Sequence, residues 1–124
     1  EAGHQKTVIQ YLRNRYHWVL FNISPANTIN PWHGKNNKAM GLQAGFPDIF
    51  VYQPTFLHYG LAIELKRPEK RDCNGVVYQT KGSVSKEQKE WLARLNACGY
   101  RAVVCYGANE ACDLIDTYLK DVKN

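Results

Sequence analysis

An apolar run that ends in charged residues occupies positions 60–66, Gly60-Leu61-Ala62-Ile63-Glu64-Leu65-Lys66. A second run, Ile49-Phe50-Val51-Tyr52, follows the dipeptide Pro47-Asp48. Short apolar runs bounded by turn residues are typical of buried strands. Because side chains on a strand alternate between its two faces, Glu64 and Lys66 are predicted to share one face. If the two strands are neighbours, they bring the Asp48 and Glu64 carboxylates together beside the Lys66 ammonium group.

This set of side chains suits a divalent cation that acts on a phosphodiester. Mg²⁺ prefers oxygen ligands and takes few carboxylates from a protein. The backbone carbonyl of Leu65 is a further candidate ligand, because the backbone between two inward-facing side chains passes the edge of the pocket. The cation would neutralise the phosphate and make water more nucleophilic, while Lys66 would orient that water or stabilise the developing charge. Asp48, Glu64 and Lys66 are therefore predicted to hydrolyse phosphodiester bonds.

The same residues also have structural interpretations. Asp48 can simply begin a strand or cap a turn. Glu64, as a buried carboxylate, needs a partner, and Lys66 can provide one as a plain ion pair. Two other function classes therefore stay open, a DNA-binding module without catalysis and a structural or protein-interaction domain. A nuclease that needs a partner domain to choose its substrate is a third alternative.

Length and composition indicate one globular unit. The 124 residues are enough for one core and too few for two ordinary domains, so residues 1–124 are predicted to form a single domain. Apolar residues at 44% and charged residues at 22% are ordinary values. No stretch approaches the roughly 20 apolar residues of a membrane span, and no signal-peptide pattern is present, so no membrane partner is expected.

Cysteine usage bears on the compartment. No C-x-x-C spacing and no nearby histidine pair accompanies the four cysteines, which argues against a zinc site at Cys73, Cys98, Cys105 and Cys112. Reduced thiols predict a cytoplasmic protein, in a bacterium or, for a viral protein, in its host cell. The sequence has no initial Met, so we expect a trimmed or excerpted chain, with a nuclear location if the parent is a larger eukaryotic protein.

The charge balance favours an anionic partner. Sixteen Lys and Arg against eleven acidic residues give a net charge of +5. Residues 83–124 carry six charges of each sign, so the surplus lies before and around the acidic site. A solvated polar loop would explain much of this charge equally well. If the partner is DNA, backbone contacts are predicted for Lys35, Lys38, Arg67, Lys70, Arg71, Lys81 and Ser85.

Helical and strand patterns alternate in the first two thirds of the chain. Apolar spacing predicts a helix over about 5–16 and then a strand over 18–23. Pro, Gly and Asn predict a loop over 24–38, and a short helical turn is expected over 38–43. The two strands of the predicted site cover roughly 48–53 and 60–66, and a polar, basic loop follows over 68–82.

The last third of the chain carries clear helix signals. Ser85 and Gln88 match a capping box, and Gly99 marks the end of the helix that the box begins. A strand is predicted over 101–106, and Asn109 is expected to cap a final helix. The order of elements predicts an α/β fold, with a mixed sheet of about four strands flanked by helices.

Asp48, Glu64 and Lys66 resemble the P-D…(D/E)-x-K signature of the PD-(D/E)XK nuclease superfamily. Other segments resemble its VRR-NUC family in order and spacing, and residues 24–37 fit least well. With the N-terminal helix the likeness covers nearly the whole chain. The matching segments are Gly45-Phe46-Pro47-Asp48, Ile63-Glu64-Leu65-Lys66, residues 82–92, Leu95, Gly99-Tyr100 and Ala102-Val103-Val104.

The resemblance implies a DNA endonuclease that depends on Mg²⁺ or Mn²⁺ and has a restriction-endonuclease-like core. It implies a metal ligand from the N-terminal helix, for which Glu1 is the only acidic residue before Asp48. It also places a glutamine near the site, so Gln88 is a candidate for water positioning or phosphate contact beside its capping role. Stand-alone members of this length imply a homodimer that cuts branched DNA, such as a four-way (Holliday) junction or a flap, symmetrically.

Overall fold

Helices and strands alternate along the chain in a computed structural model that describes residues 2–24, 41 and 43–122. The described elements, in chain order, are α1 (Ala2–Arg15), β1 (Phe21–Ile23), β2 (Ile49–Val51), β3 (Leu61–Lys66), β4 (Lys70–Arg71), β5 (Val77–Gln79), α2 (Lys86–Ala97), β6 (Arg101–Tyr106) and α3 (Ala108–Leu119). The predicted loop over 24–38 and turn over 38–43 lie outside the described residues, apart from Ser24, Gly41 and Gln43.

A mixed sheet forms the centre of the molecule. Its strand order is β1-β2-β3-β6, with antiparallel pairing of β1 with β2 and of β2 with β3. β3 and β6 run parallel, from Leu61 beside Arg101 to Lys66 beside Tyr106. The parallel pair requires a crossover, and α2 provides it. The predicted α/β fold with a four-stranded mixed sheet flanked by helices is confirmed.

The two faces of the sheet bury different amounts of apolar surface. Ile63 and its neighbours on one face pack against Leu12 of α1 and Ile115 of α3 in the larger core. Each fully buried aliphatic side chain of this kind stabilises the fold by about 1.5–3 kcal/mol. On the other face, Ala62 packs against Leu92 of α2 in a smaller cluster.

Three local predictions were wrong. The strand expected from Trp18 begins only at Phe21, because a turn follows α1. In this turn Val19 N–H donates a hydrogen bond to the Tyr16 carbonyl. The loop expected over 68–82 contains a separate hairpin of β4 and β5. The final helix begins after Gly107 rather than Asn109, since Gly107 turns the chain out of β6 with φ of 93°.

The predicted capping box is confirmed. Ser85 Oγ accepts a hydrogen bond from Gln88 N–H at 3.1 Å, and Gln88 Oε1 accepts one from Ser85 N–H at 2.8 Å. Gly99, with φ of 98°, follows the end of α2 as expected. Among the described residues, no helix has the length and apolar character that crossing a membrane requires.

Candidate active site

Asp48 immediately precedes β2, and Glu64 lies in the neighbouring strand β3. The register pairs Ile49 with Ile63, and its continuation by one residue places Asp48 opposite Glu64. Directly opposed side chains of antiparallel strands lie on the same face of the sheet. Ala62 shares that face and packs against Leu92, so both carboxylates lie on the α2 side of the sheet. Their juxtaposition therefore follows from strand register.

A backbone hydrogen bond fixes the orientation of the Asp48 carboxylate. Leu65 N–H donates to Asp48 Oδ2 at 2.8 Å. The N–H and C=O groups of one strand residue point toward the same edge, so the Leu65 carbonyl is also directed to the Asp48 side. Backbone groups of successive strand residues point to opposite edges. Accordingly, the carbonyl of the next residue, Lys66, accepts a hydrogen bond from Gly107 N–H at 2.9 Å on the β6 side. Asp48 and the Leu65 carbonyl thus lie at one edge of β3.

Glu64 and Lys66 lie on one face, as the alternation predicts. Glu64 is 2% exposed, and its Oε2 atom lies 4.0 Å from Lys66 Nζ, whose side chain is 12% exposed. The chain returns past this lysine at Gly82, where an added Cβ would lie 3.4 Å from Lys66 Cβ and Cδ. The aliphatic stem of Lys66 is therefore enclosed, and its ammonium group is held beside the Glu64 carboxylate.

The donor set fits a divalent cation. Two carboxylates on one face repel each other, and a cation relieves that repulsion while accepting oxygen ligands. In residues 2–24, 41 and 43–122, no cluster of three or more His, Cys, Asp and Glu side chains is placed to hold an ion. The described candidates are thus Asp48, Glu64 and the Leu65 carbonyl. Few protein ligands are what Mg²⁺ accepts, because it retains several waters.

α1 begins at the same end of the sheet as these groups. His4 Nδ1 accepts a hydrogen bond from Ala108 N–H at 3.1 Å, and the neighbouring Gly107 is bonded to the Lys66 carbonyl. A further ligand from the start of this helix is therefore compatible with the arrangement. Glu1, the predicted ligand, lies outside the described residues.

The N-terminus of α2 packs against the turn that leads into Asp48. Gly45 has φ of 88°, and a Cβ added to it would lie 2.5 Å from the Glu87 carbonyl carbon and 2.8 Å from Gln88 N. This contact carries Gln88 to the face of the sheet that holds Asp48 and Glu64. The Gln88 carbonyl oxygen caps the helix through Ser85, so its amide NH₂ group is the part able to contact a phosphate.

A model of the VRR-NUC domain matches residues 4–109, a span that contains the paired carboxylates, Lys66 and the capping box of α2. The chain belongs to the VRR-NUC family. Among solved structures it is similar to a VRR-NUC domain protein, with a TM-score of 0.73 and 25% identity over 99% of this chain and 90% of that one. A comparison with curated proteins found no match. The family consists of nuclease-type domains, so the chain has the fold of a DNA nuclease.

The DNA-contact candidates of this VRR-NUC domain differ in how they are held. Lys35 and Lys38 lie outside the described residues, whereas Lys70 and Ser85 are exposed. Arg67 Nε donates to the Thr80 carbonyl at 2.8 Å. Arg71 forms an ion pair within the hairpin, with its Nε atom 3.0 Å from Glu69 Oε2. Lys81 lies over an aromatic ring, with its Nζ atom 5.0 Å from the centre of the Tyr106 ring.

Two features near the site escaped prediction from sequence. The Leu65–Asp48 hydrogen bond joins residues 17 positions apart, and only the register reveals it. The sequence did contain a signal for the contact of Gly45 with α2, because a glycine three residues before Asp48 suggests that another part of the backbone approaches closely. A cavity of about 510 Å³ between α2 and residues 43–44 has neither Asp48, Glu64 nor Lys66 in its lining, so we do not assign the nuclease chemistry to it.

Proposed function

We propose that residues 1–124 form a VRR-NUC domain that hydrolyses DNA phosphodiester bonds with Mg²⁺ or Mn²⁺ held by Asp48 and Glu64. The observation that carries this proposal is the register that opposes the two carboxylates beside Lys66, whose Nζ lies 4.0 Å from Glu64 Oε2. A plain DNA-binding surface has no need of two acidic side chains that face each other, because they repel the phosphate.

Each residue has a distinct part in this chemistry. When bound, the cation supplies charge for the phosphate oxygens and lowers the pKa of water. Asp48 is oriented by Leu65 N–H, so one of its oxygens is fixed before any ligand arrives. Glu64 is buried, which keeps its charge unscreened by water. The Lys66 ammonium group orients the attacking water or stabilises the charge on the transferring phosphate.

Gln88 and Glu1 complete the proposed site. The Gln88 amide NH₂ group would donate to the phosphate or to the attacking water, while its carbonyl remains bonded to Ser85 N–H. Glu1 would add a ligand from the end of α1. Lys35, Lys38, Arg67, Lys70, Arg71 and Lys81 would contact the DNA backbone, as would Ser85.

We further propose that the substrate is branched DNA, such as a four-way junction or a flap, and that two copies of the chain cut it. Two-fold symmetry supports this, because a four-way junction offers two equivalent strands to two equivalent sites. An exposed apolar pair offers a contact surface. Leu20 is 74% exposed and Tyr52 is 49% exposed, and Tyr52 N–H donates to the Leu20 carbonyl at the β1 side of the sheet.

Cleavage of labelled DNA tests the proposed activity. A four-way junction, a flap, a splayed arm and a linear duplex are incubated with Mn²⁺, Mg²⁺ or EDTA. We expect metal-dependent cutting, and we expect Asp48→Asn, Glu64→Gln and Lys66→Met to slow it by about 10³ or more. Arg94→Met, an exposed basic residue of α2, is the control for lost charge. Full activity in Glu64→Gln would refute the proposed site.

Metal binding has a readout that needs no cutting. Mn²⁺ at about 100 times its Kd is expected to stabilise the protein by about 2.7 kcal/mol, which raises Tm by several degrees. Glu64→Gln and Asp48→Asn should lose that rise, whereas Lys66→Met should keep it. DNA binding without cutting and without a Tm rise would favour the non-catalytic module, and cutting that appears only with an added domain would favour a partner-dependent nuclease.

A further inference from the structure

The hairpin of β4 and β5 leaves the site strand directly and is anchored beside it. Gly82 N–H donates to the Arg67 carbonyl at 2.9 Å, and Gln79 Nε2 donates to the Pro68 carbonyl at 2.8 Å. Together with the contact of Gly82 and Lys66, these bonds fix the base of the hairpin at the lysine of the site. The base of the β4–β5 hairpin is therefore fixed next to the proposed active site.

The turn of this hairpin is ordered by its own hydrogen bonds. Asp72 Oδ1 accepts from Asn74 N–H at 2.8 Å and from Val76 N–H at 2.9 Å. Asp72 N–H also donates to the Val76 carbonyl at 2.9 Å. The backbone of the turn is consequently held in one arrangement.

A bulge in the hairpin presents one aromatic ring to the surroundings. Lys70 pairs with Gln79 and Arg71 pairs with Val77, which leaves Tyr78 as an extra residue without an opposite partner in the ladder. Bulges redirect a side chain and are common next to active sites. Tyr78 is 67% exposed, and Val76, two residues earlier in the chain, is also exposed. Most of the Tyr78 side chain is therefore accessible to a partner.

Charge identifies the kind of partner that the hairpin fits. Residues 66–82 contain five basic side chains, Lys66, Arg67, Lys70, Arg71 and Lys81, against Glu69 and Asp72. Glu69 pairs with Arg71, and Asp72 accepts hydrogen bonds within the turn, so the segment keeps a surplus of three positive charges. An aromatic ring on a basic projection matches nucleic acid, because bases stack on aromatic faces while cations contact the phosphates.

Distance relates the ring to the cleaved bond. Tyr78 precedes Gly82 by four residues, so an extended chain places it within about 14 Å of the Lys66 contact. Base pairs repeat every 3.4 Å or so, and that reach corresponds to about four of them. The ring is thus able to meet the DNA that adjoins the phosphate in the site.

We infer that the β4–β5 hairpin contacts an unstacked base near the cleaved phosphodiester, with Tyr78 stacked on the base. This rests on the proposed function and gives it a basis for selecting branched DNA. A linear duplex hides its bases in a continuous stack, whereas a junction or flap interrupts the stack at the branch. Tyr78 then adds affinity only where a base face is accessible.

Binding to a four-way junction with 2-aminopurine at the branch tests this inference. EDTA prevents cutting, and fluorescence reports both affinity and stacking. We expect Tyr78→Ala to weaken junction binding by about 5- to 150-fold, to leave duplex binding nearly unchanged, and to abolish the change in 2-aminopurine fluorescence. Tyr78→Phe should retain all three properties. Tyr59→Ala is the control, because Tyr59 is 68% exposed at the opposite end of β3.

The outcomes separate this inference from the proposed nuclease activity. Unchanged junction affinity and fluorescence in Tyr78→Ala would overturn the hairpin contact, even if the wild type cuts DNA. A shift of Tyr78→Ala from dimer to monomer, with equal affinity per site, would overturn it too and assign the hairpin to a subunit contact. If the wild type cuts no substrate but the fluorescence change still depends on Tyr78, the proposed nuclease activity is rejected and the contact between Tyr78 and a base is retained.

Discussion

At the scale of residues, the position of Asp48 shows what sequence can and cannot provide. The types of the three site residues and their order in the chain predicted a metal-dependent site. The orientation of Asp48 depends on Leu65 N–H, a backbone group that every residue but proline carries. No side-chain pattern encodes such a contact, because it arises only when β2 and β3 pair in one register.

Gln88 has two roles to separate, and Gln88→Glu separates them. A glutamate completes the capping box as well as a glutamine, so Tm should stay at the wild-type value. The amide NH₂ group is replaced by an anion that repels phosphate. We therefore expect cleavage to slow by roughly 10², the usual loss when one donor to the transition state is removed.

Ser85→Ala, at a proposed DNA contact, is the reference for the stability measurement alone. It breaks the cap from the other side and should cost about 1 kcal/mol of stability while leaving the Gln88 side chain in place. Gel-based cleavage rates and thermal unfolding measure both effects. If Gln88→Glu cuts at the wild-type rate, the residue only caps the helix.

At the scale of elements, the turn before Asp48 depends on the absence of a side chain at Gly45. Ala at this position meets the backbone of Glu87 and Gln88 and adopts an unfavourable positive φ. We expect Gly45→Ala to lower the free energy of unfolding by about 2–5 kcal/mol, as strain and overpacking add. Denaturant titration measures the loss, and cleavage should fall because Asp48 moves away from Glu64.

Gly75→Ala is a matched control for backbone strain. Gly75 has φ of 80°, yet nothing lies within 4 Å of an added Cβ. Its loss should be limited to about 1–2 kcal/mol from the positive φ alone. Equal losses in the two variants would show that the contact with α2 contributes nothing.

Asp116 links α3 to α1 and predicts an acid-sensitive fold. Burial raises its pKa, but hydrogen bonds from the Tyr16 and Tyr11 hydroxyls and the nearby Arg15 outweigh that effect, so the pKa lies below its usual range. The folded state thus favours the carboxylate. The stabilisation is complete above the ordinary aspartate pKa of about 3.9 and is lost as pH falls through the lowered value.

Asp116→Asn removes this charge. At pH 7 it should cost roughly 1–3 kcal/mol, and its Tm should fall less than that of the wild type between pH 7 and pH 3. Asp113→Asn, an exposed position on the same helix, is the control and should keep the wild-type pH dependence. Parallel pH profiles for the wild type and Asp116→Asn would contradict the assignment.

Elements with strong local signals were predicted well, and those set by distant contacts were not. The box of Ser85 and Gln88 fixed the start of α2 from four residues of sequence. The hairpin was missed because its strands are short, polar and interrupted at Tyr78. Asn109 looked like a cap, yet the bond from Gly107 N–H to the Lys66 carbonyl determines where α3 begins. That bond depends on parallel pairing, which local patterns do not reveal.

At the scale of the whole molecule, the two faces of the sheet differ in the residues that they carry. One face carries the large core with α1 and α3, and the other carries the paired carboxylates under the start of α2. Burying a charge costs free energy, and in the proposed site a bound cation would offset the charge of Glu64 on the face with the smaller apolar cluster. Stability and chemistry can therefore be perturbed independently, as the variants of Asp116 and Glu64 are designed to show.

The proposed homodimer predicts that a charge introduced into its contact surface separates the two subunits. Leu20 and Tyr52 expose an apolar pair at the β1 side of the sheet, whereas the proposed site lies at the far end of β3. We expect Leu20→Lys to give a monomer in analytical ultracentrifugation while the Mn²⁺-dependent rise in Tm persists. The fold and the metal site are then intact, and only the pairing of two sites is lost.

A plasmid with an extruded cruciform reports the consequence of that change. A dimer cuts two strands within one encounter and yields linear DNA, whereas a monomer releases nicked circles after a single cut. Leu57→Lys, at a position in the connection between β2 and β3 that is just as apolar and exposed, should behave as the wild type. A wild-type monomer that still linearises the plasmid in one encounter would rule out the dimer, and an unchanged dimer in Leu20→Lys would move the interface to another surface.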